Sequence, residues 1–282
     1  MTTLAAARIT ILDPRKRATA SGASVTGAQR DMRTDQGAEL TIPLLDPRGA
    51  LSSTSWLGDG DQITYAGTRY EFGGMQVKLG AIDQVVVRAR SQLARRMRHT
   101  YKVSSTRKVT AGSWIAARAR AHGGRALVQP SGARSEITQG SSQSELDVVA
   151  ALCSDLGWVW CEYGNRLLAG QPWWWWSGDR LGRTWPLDRN GTVGKDANQW
   201  TDIDVDVAPD DRENVASGTI AVPRAVAGKI APLHRLAVHA AGRASGTWLV
   251  TGVTLPLDSA DDVALDVIKP RRPVKKKTKP KK

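Results

Sequence analysis

The stretch SQSELDVVAALCSDLGWVWCEYGNRLL, residues 142–168, carries the clearest fold signal in this chain. Ser142 and Glu145 have the S-x-x-E spacing of a capping box, which predicts that a helix begins at this point. One face of that helix is apolar, and its members are Leu146, Val149, Cys153 and Leu156. Gly157 follows where a left-handed C-terminal cap belongs, so the helix is predicted to end there.

The residues after Gly157 predict a tight β-hairpin. Residues 158–162 have the composition of a strand, 163–165 form a turn signal, and 166–168 return as a second strand. No residue of this helix and hairpin has a catalytic pattern. We therefore interpret the unit as a small α+β module that holds shape within a larger protein.

The remaining sequence favours β-structure on both sides of this module. Short runs of alternating polar and apolar residues, ended by Gly, Pro and Asp, occur in the first eighty residues and again from residue 200. These patterns predict a β-rich α+β fold in which a mixed α+β domain joins two small β-barrel-like domains. The predicted divisions are an N-terminal β-barrel domain 1–80, an α+β middle domain 81–169, a Trp-rich irregular linker 170–199, a second β-barrel-like domain 200–268 and a disordered basic tail 269–282.

Positive charge is concentrated in two segments of a chain whose formal net charge is +13. The basic belt, residues 84–135, has twelve Lys or Arg and no Asp or Glu. The basic tail, residues 269–282, has seven Lys and two Arg and likewise no acid, so the rest of the chain is net acidic. Segments of this kind typically meet an acidic protein surface or nucleic acid.

Two interpretations of the basic belt stay open: a solvated face, or a surface that contacts an anionic neighbour. The belt lacks regularly spaced aromatic residues, so base-specific readout is not expected, and contact with phosphate would be independent of sequence. The candidate contact residues are Arg88, Arg90, Arg95, Arg96, Arg98, Lys102, Arg118 and Arg120.

A run of four tryptophans forms the second candidate site. One interpretation is packing at a seam between domains or subunits, since Trp is enriched where an apolar surface needs one polar contact. Stacking on a sugar or at a bilayer interface is another, and plain disorder is a third. The candidate interface residues are Trp173, Trp174, Trp175 and Trp176.

No metal, cofactor or catalytic residue is predicted. Acidic residues between 202 and 213 have the spacing of a calcium-binding loop, but Val207 stands where such a loop requires Gly, so a strand with a solvated acidic face is favoured. The four His are scattered outside any zinc motif, and no nucleophile elbow, phosphate loop or dinucleotide fingerprint occurs. Nothing singles out a pair of carboxylates for sugar hydrolysis.

The cysteines and the hydropathy of the sequence bear on the state of its thiols and on membrane insertion. Cys153 and Cys161 are predicted to be buried free thiols, with a disulfide possible only if the hairpin folds back over the helix. No window approaches 18 apolar residues, and the first residues lack a secretory signal. Stable membrane insertion is therefore not expected.

The order of these parts, together with two further segments, resembles a known family. The segments are GTWLVTGVTLPLDSADDVALDVIKP, residues 246–270, and DDRENVASGTIAV, residues 210–222. With the helix and hairpin of 142–168, they are similar to the tail hub (baseplate hub) proteins of long-tailed bacteriophages. Eleven Trp beside one Phe indicate a high-GC coding sequence, which favours an actinobacterial siphophage as the source.

The resemblance implies a structural protein of the virion tail tip without enzymatic activity. It implies a homotrimer in which each subunit contributes two similar barrels, so that three chains match the sixfold tail tube and help to guide DNA ejection. The implied partners are a distal tail or tail tube protein, the tape-measure protein and tip or receptor-binding proteins, with transient DNA contact. The Lys-rich tail and the four tryptophans depart from the family pattern. The alternatives are a nucleic-acid-binding protein that uses the belt and tail, and a cell-wall-active tail enzyme.

Overall fold

The computed structural model describes residues 10–12, 24–25, 28–46, 57–58, 60–65, 68–81, 83–182, 184–191, 198–207, 214–256 and 261–272. The part of the basic tail beyond residue 272, and two acidic positions of the disfavoured calcium loop, lie outside these residues. Within them, no helix is long and apolar enough to cross a membrane.

The described strands are, in chain order, β1 (Thr10–Leu12), β2 (Ser24–Val25), β3 (Gln29–Arg33), β4 (Glu39–Leu45), β5 (Gln62–Tyr65), β6 (Thr68–Lys78), β7 (Gln84–Ser91), β8 (Ser104–Thr110), β9 (Arg125–Val128), β10 (Arg134–Gln139), β11 (Val159–Tyr163), β12 (Arg166–Gly170), β13 (Thr184–Asp188), β14 (Asn198–Gln199), β15 (Asp202–Val207), β16 (Asn214–Val222), β17 (Arg235–Val238), β18 (Gly246–Pro256) and β19 (Val263–Pro270). The described helices are α1 (Gln92–Arg98), α2 (Ala111–Ala121), α3 (Glu145–Asp155), α4 (Pro172–Trp176) and α5 (Arg224–Ala227).

One large mixed sheet spans both ends of the chain. Its main path is β1-β5-β6-β7-β4-β3-β18-β17-β13-β14, with β2 on β4, and with β19, β16 and β15 continuing in that order from β18. The antiparallel pair β3–β18 joins an N-terminal half to a C-terminal half. Arg33 secures this joint, because its Nη1 donates to Asp266 at 2.8 Å and its Nη2 to Thr254 at 3.0 Å.

The two halves share one hydrophobic core. Along β4, Leu40, Ile42 and Leu44 are buried while their neighbours are partly exposed, as expected when alternate side chains point to opposite faces of a sheet. The same cluster includes Ile220 and Trp248 from the C-terminal half.

These pairings confirm a β-rich α+β fold but not the predicted pair of closed barrels. Among the described strands neither half closes on itself, and one continuous sheet replaces two separate barrels. The alternation of apolar residues predicted the strands, but it carries no information on which strand pairs with which, and the β3–β18 pair decides the architecture. The predicted domain boundaries stay a prediction.

The middle of the chain folds around a second core. It holds the β8–β10 ribbon, the three-stranded sheet β11-β12-β9 and helices α1 to α3. The predicted helix face packs inward, with Leu146, Val149 and Cys153 buried, and Gly157 ends the helix with φ +61° as predicted. Both cysteines are buried free thiols, as predicted, and burial raises the pKa of the Cys153 thiol to about 12, with the Asp35 carboxylate adding to the effect.

The helix begins two residues later than predicted. Ser144, not Ser142, is the N-cap, and its side chain and that of Asp147 bond reciprocally to each other's backbone N–H at 3.2 and 2.9 Å. The spacing of a serine three residues before an acid occurs twice here, at 142 and at 144. Glu145 cannot complete the earlier box because its carboxylate turns inward to Arg118 and His122.

The predicted hairpin is confirmed with a shift of one residue. Strands β11 and β12 are antiparallel neighbours, joined by Gly164 and Asn165. Both turn residues have positive φ, 56° and 60°, as in a type I′ turn, whose twist matches the flanking strands.

Candidate functional site

Four of the eight candidate belt residues pair with three carboxylates of the same chain. Arg90 pairs with Glu39 at 3.6 Å, Arg118 pairs with Glu145 at 3.3 Å, and two further arginines share one carboxylate. Every one of these carboxylates comes from outside the belt segment, so the belt is less positive in the structure than in the sequence. Contact of the belt with an anionic neighbour stays a prediction.

The shared carboxylate is that of Glu71 on β6. It lies 3.5 Å from the Nε of Arg95 and 3.2 Å from the Nε of Arg96, both on α1. Glu71 and Arg95 are buried, whereas Arg96 is exposed. The arrangement fastens α1 to the N-terminal half of the sheet, and the sequence gives no signal for it because the partners lie on distant elements.

A second buried carboxylate joins α2 to α3. Glu145 is the first residue of α3, and its Oε2 lies 2.6 Å from the Nε2 of His122, which follows the last turn of α2. Arg118 approaches the other oxygen of the same carboxylate. The helix dipole favours the Glu145 carboxylate at the N-terminus of α3 and the Arg118 guanidinium in the last turn of α2.

Four candidate belt residues remain exposed and make no ion pair with a described residue: Arg88, Arg98, Lys102 and Arg120. Lys102 lies between Tyr101 and Val103, whose exposed fractions of 57% and 70% are high for apolar side chains. Arg88 lies on β7 and Arg98 ends α1, so the four are spread over several elements. Each of these four can present a positive charge to a neighbour, since it pairs with no carboxylate of the described residues.

The tryptophan run forms α4, within a segment that was expected to be irregular. Pro172 takes the first helical position, where a missing N–H carries no penalty. Trp175 is 1% exposed, and Trp174 packs edge-on against it at 4.7 Å. Trp176 Nε1 donates to the carbonyl of Thr247 at 2.9 Å, which ties the helix to β18.

Helix α4 therefore fills a seam between the middle of the chain and the large sheet. Its apolar cluster includes Leu168 of β12 on one side and Leu249 of β18 on the other. The seam is internal to the chain. Trp173, which stacks on Trp176 at 4.7 Å, is only partly buried, and a role for it between chains stays a prediction.

Glu162 forms a second contact across the seam between the middle of the chain and the large sheet. It is 4% exposed on β11, and its Oε2 accepts from Ser91 Oγ at 2.6 Å and from the Ala94 N–H at 2.8 Å. Helix α1 has no side-chain cap of its own, so a carboxylate from a distant hairpin supplies one. Burial raises the pKa of Glu162, while the hydrogen bonds from Ser91, Ala94 and Leu93 act in the opposite direction.

A groove of about 750 Å³ lies beside Glu162. We call it the arginine groove, because its lining includes Arg30 of β3, Arg69 of β6 and Arg166 of β12. Among the described residues none of the three has an ion-pair partner, and the Nε of Arg30 is buried without a hydrogen bond. Another nitrogen of the same guanidinium, Arg30 Nη2, donates to the carbonyl of Gly228 at 3.5 Å.

The chemistry of the groove is that of a binding surface for anions. Guanidinium groups bind carboxylates with paired, charge-assisted hydrogen bonds. The one acidic residue in the lining, Glu162, is already engaged by the start of α1. Sequence reasoning missed this site because its three arginines come from three separate elements and only the tertiary fold brings them together. Within the described residues, no group of three His, Cys, Asp or Glu is placed to hold a metal ion.

Comparison with known proteins shows the class of fold. No family model matches the chain, and no curated protein matches it in sequence. Solved structures do match it over nearly its whole length. The c3393 protein of E. coli, described as a component of the type VI secretion system with structural similarity to the T4 bacteriophage tail proteins gp27 and gp5, has a TM-score of 0.64 at 12% identity, covering 95% of this chain and 79% of that one.

Two prophage proteins match at similar coverage. The 43 kDa tail protein of prophage MuSo2 from Shewanella oneidensis has a TM-score of 0.59 at 8% identity, with 93% of this chain and 98% of that chain covered. The prophage tail protein gp18 from Listeria monocytogenes has a TM-score of 0.52 at 8% identity, with 93% and 94% covered. The chain thus has the fold of phage tail proteins, which confirms the predicted structural similarity to them.

Proposed function

We propose that this chain is a structural, hub-like component of a phage tail, located in the virion and without enzymatic activity. The observation that carries the proposal is the match to phage and prophage tail proteins across at least 93% of the chain. Because almost the whole chain is used by the shared fold, no described part is left over as a separate catalytic domain.

We further propose that three copies form a ring at the tail tip of an actinobacterial siphophage. The ring would adapt the sixfold tail tube to a threefold tip and help to guide DNA during ejection. In this proposal the N-terminal and C-terminal halves of the sheet take the place of the predicted barrels, so that three chains present six β-rich units. The proposed neighbours are a tail tube or distal tail protein, the tape-measure protein and tip or receptor-binding proteins.

The distribution of charge supports a structural role over a nucleic-acid-binding one. Ion pairs within the fold engage four of the eight candidate belt residues. The four that remain exposed are spread over several elements, whereas a phosphate-binding surface needs a continuous positive stripe.

Immunogold electron microscopy of the phage particles tests the proposal. Antibodies against this chain should label the distal end of the tail in intact virions. Antibodies against the tail tube protein, which should label the full length of the tail, serve as the control. Label on the capsid, or absence of the chain from purified particles by mass spectrometry, would overturn the proposal.

A further inference from the structure

The arginine groove and an acidic strand on the same chain have complementary charge. Strand β15 pairs with β16 and with no other described strand, so one of its edges is free. Its outward side chains are Asp202, Asp204 and Asp206, all exposed, while Ile203 and Val205 pack against the core. The strand therefore presents a row of three carboxylates on the exposed face of an edge strand.

The spacing of these carboxylates suits a groove with several separate arginines. Alternate residues of a strand lie about 6.6 Å apart on one face, so successive Asp side chains can meet different guanidinium groups. The groove volume of about 750 Å³ is large enough for several side chains of an extended segment. Arg69 and Arg166 are exposed within it, and the unpartnered Nε of Arg30 lies at its wall.

The groove is not filled by the strand of its own chain. None of the three Asp residues belongs to the groove lining, and β15 is held by a full antiparallel register with β16 from Asp202 to Val207. The described β15 is therefore not available to the groove of its own chain, whereas a second copy of this chain carries a suitable strand.

We propose that the arginine groove of one copy binds the acidic edge strand β15 of a second copy. This contact is heterologous, because two different surfaces meet, and repeated contacts of that kind close into a ring when the rotation between copies allows it. The inference rests on the proposed function in one respect, since it names the contact that would build the proposed ring.

Two variants and their mixture test the contact. The groove variant is Arg69→Ser with Arg166→Ser, and the strand variant is Asp202→Asn with Asp204→Asn and Asp206→Asn. All five side chains are exposed, so both variants should fold. Arg134→Ser with Arg243→Ser is the matched control, because it removes two exposed arginines outside both the groove lining and the candidate contact residues of the belt.

Light scattering and native mass spectrometry give the readout. The wild type and the control should form the same oligomer, and each variant alone should be monomeric, with association weakened at least tenfold. An equal mixture of the two variants should give a 1:1 dimer, because the intact groove of the strand variant can bind the intact strand of the groove variant. The other groove and the other strand of this pair are both altered, so no further copy is added.

Three results would overturn the inference: a monomeric wild type at the highest soluble concentration, a groove variant that assembles like the wild type, or a mixture without the 1:1 dimer. Such a failure is distinct from failure of the proposed function. A chain that labels the tail end in virions but assembles through another surface would keep its place in the tail and lose only this contact.

Discussion

The Oγ of Ser91 donates a hydrogen bond of 2.6 Å to the carboxylate of Glu162, across 71 residues of sequence. Ser91 ends β7 of the large sheet, and Glu162 lies on β11 of the middle unit. The same carboxylate accepts from the N–H of Ala94 in the first turn of α1. A single side chain thus caps a helix and links the two hydrophobic cores, alongside the packing of α4 in the same seam.

Removing this carboxylate should destabilise the fold. We expect Glu162→Ala to lower the free energy of unfolding by about 3 kcal/mol, because the donors at the start of α1 would be buried without an acceptor. Urea denaturation followed by tryptophan fluorescence measures the change. Glu136→Ala is the control. Glu136 also accepts a hydrogen bond from a serine, Ser105, and it pairs with Arg107, but on the exposed surface, where we expect a loss below about 1 kcal/mol. Equal losses in the two variants would contradict the capping role.

Glu162 should also give the unfolding free energy a characteristic pH dependence. Burial raises the pKa of Glu162 above its usual 4.5, and the nearby carboxylate of Glu71 acts in the same direction. The folded state therefore binds the proton more tightly than the unfolded state. The resulting stabilisation is full below pH 4.5 and is lost as the pH rises from there through the folded-state pKa.

Glu162→Gln cannot titrate, so this contribution disappears in it. We expect the unfolding free energy of Glu162→Gln, minus that of the wild type, to increase as the pH is raised from about 4 to 7. Denaturant titrations at matched ionic strength measure the difference. A difference that stays flat over this range would show that the pKa of Glu162 is the same in the two states.

A substitution at Gly37 tests how closely the backbone packs against α1 at the same seam. A Cβ at Gly37 would lie 2.5 Å from the Cβ of Ala94, and neither atom can move without shifting backbone. We expect Gly37→Ala to cost about 1 to 3 kcal/mol, the range typical of overpacking a filled site. Gly132→Ala, where an added Cβ meets nothing within 4 Å, is the matched control and should be nearly neutral. A neutral Gly37→Ala would show that α1 can move away from the β3–β4 connection freely.

Substitutions in the tryptophan run should differ in their cost to stability according to the burial of each indole. We expect Trp175→Ala to destabilise the chain by about 3 to 5 kcal/mol, because it removes a fully buried indole from the seam. Trp173→Ala, at a partly exposed position of the same short helix, should cost about 1 kcal/mol or less. Thermal unfolding measures both. If Trp173 contacts a neighbouring chain, its variant should weaken assembly without lowering the melting temperature of the monomer, and equal destabilisation by the two variants would contradict the division.

The sequence predicted the features that depend on neighbouring residues and missed those that depend on residues far apart in the chain. Gly157 and the Gly164–Asn165 turn were predictable because their conformations depend on residues a few positions away. The pairing of β3 with β18 and the pairing of Glu71 with α1 were not, since both join segments far apart in the chain. The helix cap is intermediate between these cases. The local pattern allowed a cap at Ser142 or at Ser144, and the contacts of Glu145 with His122 and Arg118 leave only Ser144 with an acidic partner.

The basic tail provides the sharpest test of nucleic-acid binding. Truncation should begin at residue 273 and not at 269, because Lys269 lies within the last strand, donates to the Ser245 carbonyl at 3.0 Å and places its Nζ 4.3 Å from the centre of the Trp248 ring. The truncated chain should keep its stability.

Each Lys that neutralises a phosphate contributes about −0.9 to the slope of log affinity against log salt, so the slope should fall close to zero in the truncated chain. Fluorescence anisotropy with duplex DNA at several salt concentrations measures it, and replacing the six tail Lys by Gln in the full-length chain is the control for length. A slope that stays steep after truncation would mean that the exposed belt residues bind phosphate themselves, and the nucleic-acid-binding alternative would then be favoured over a purely structural role.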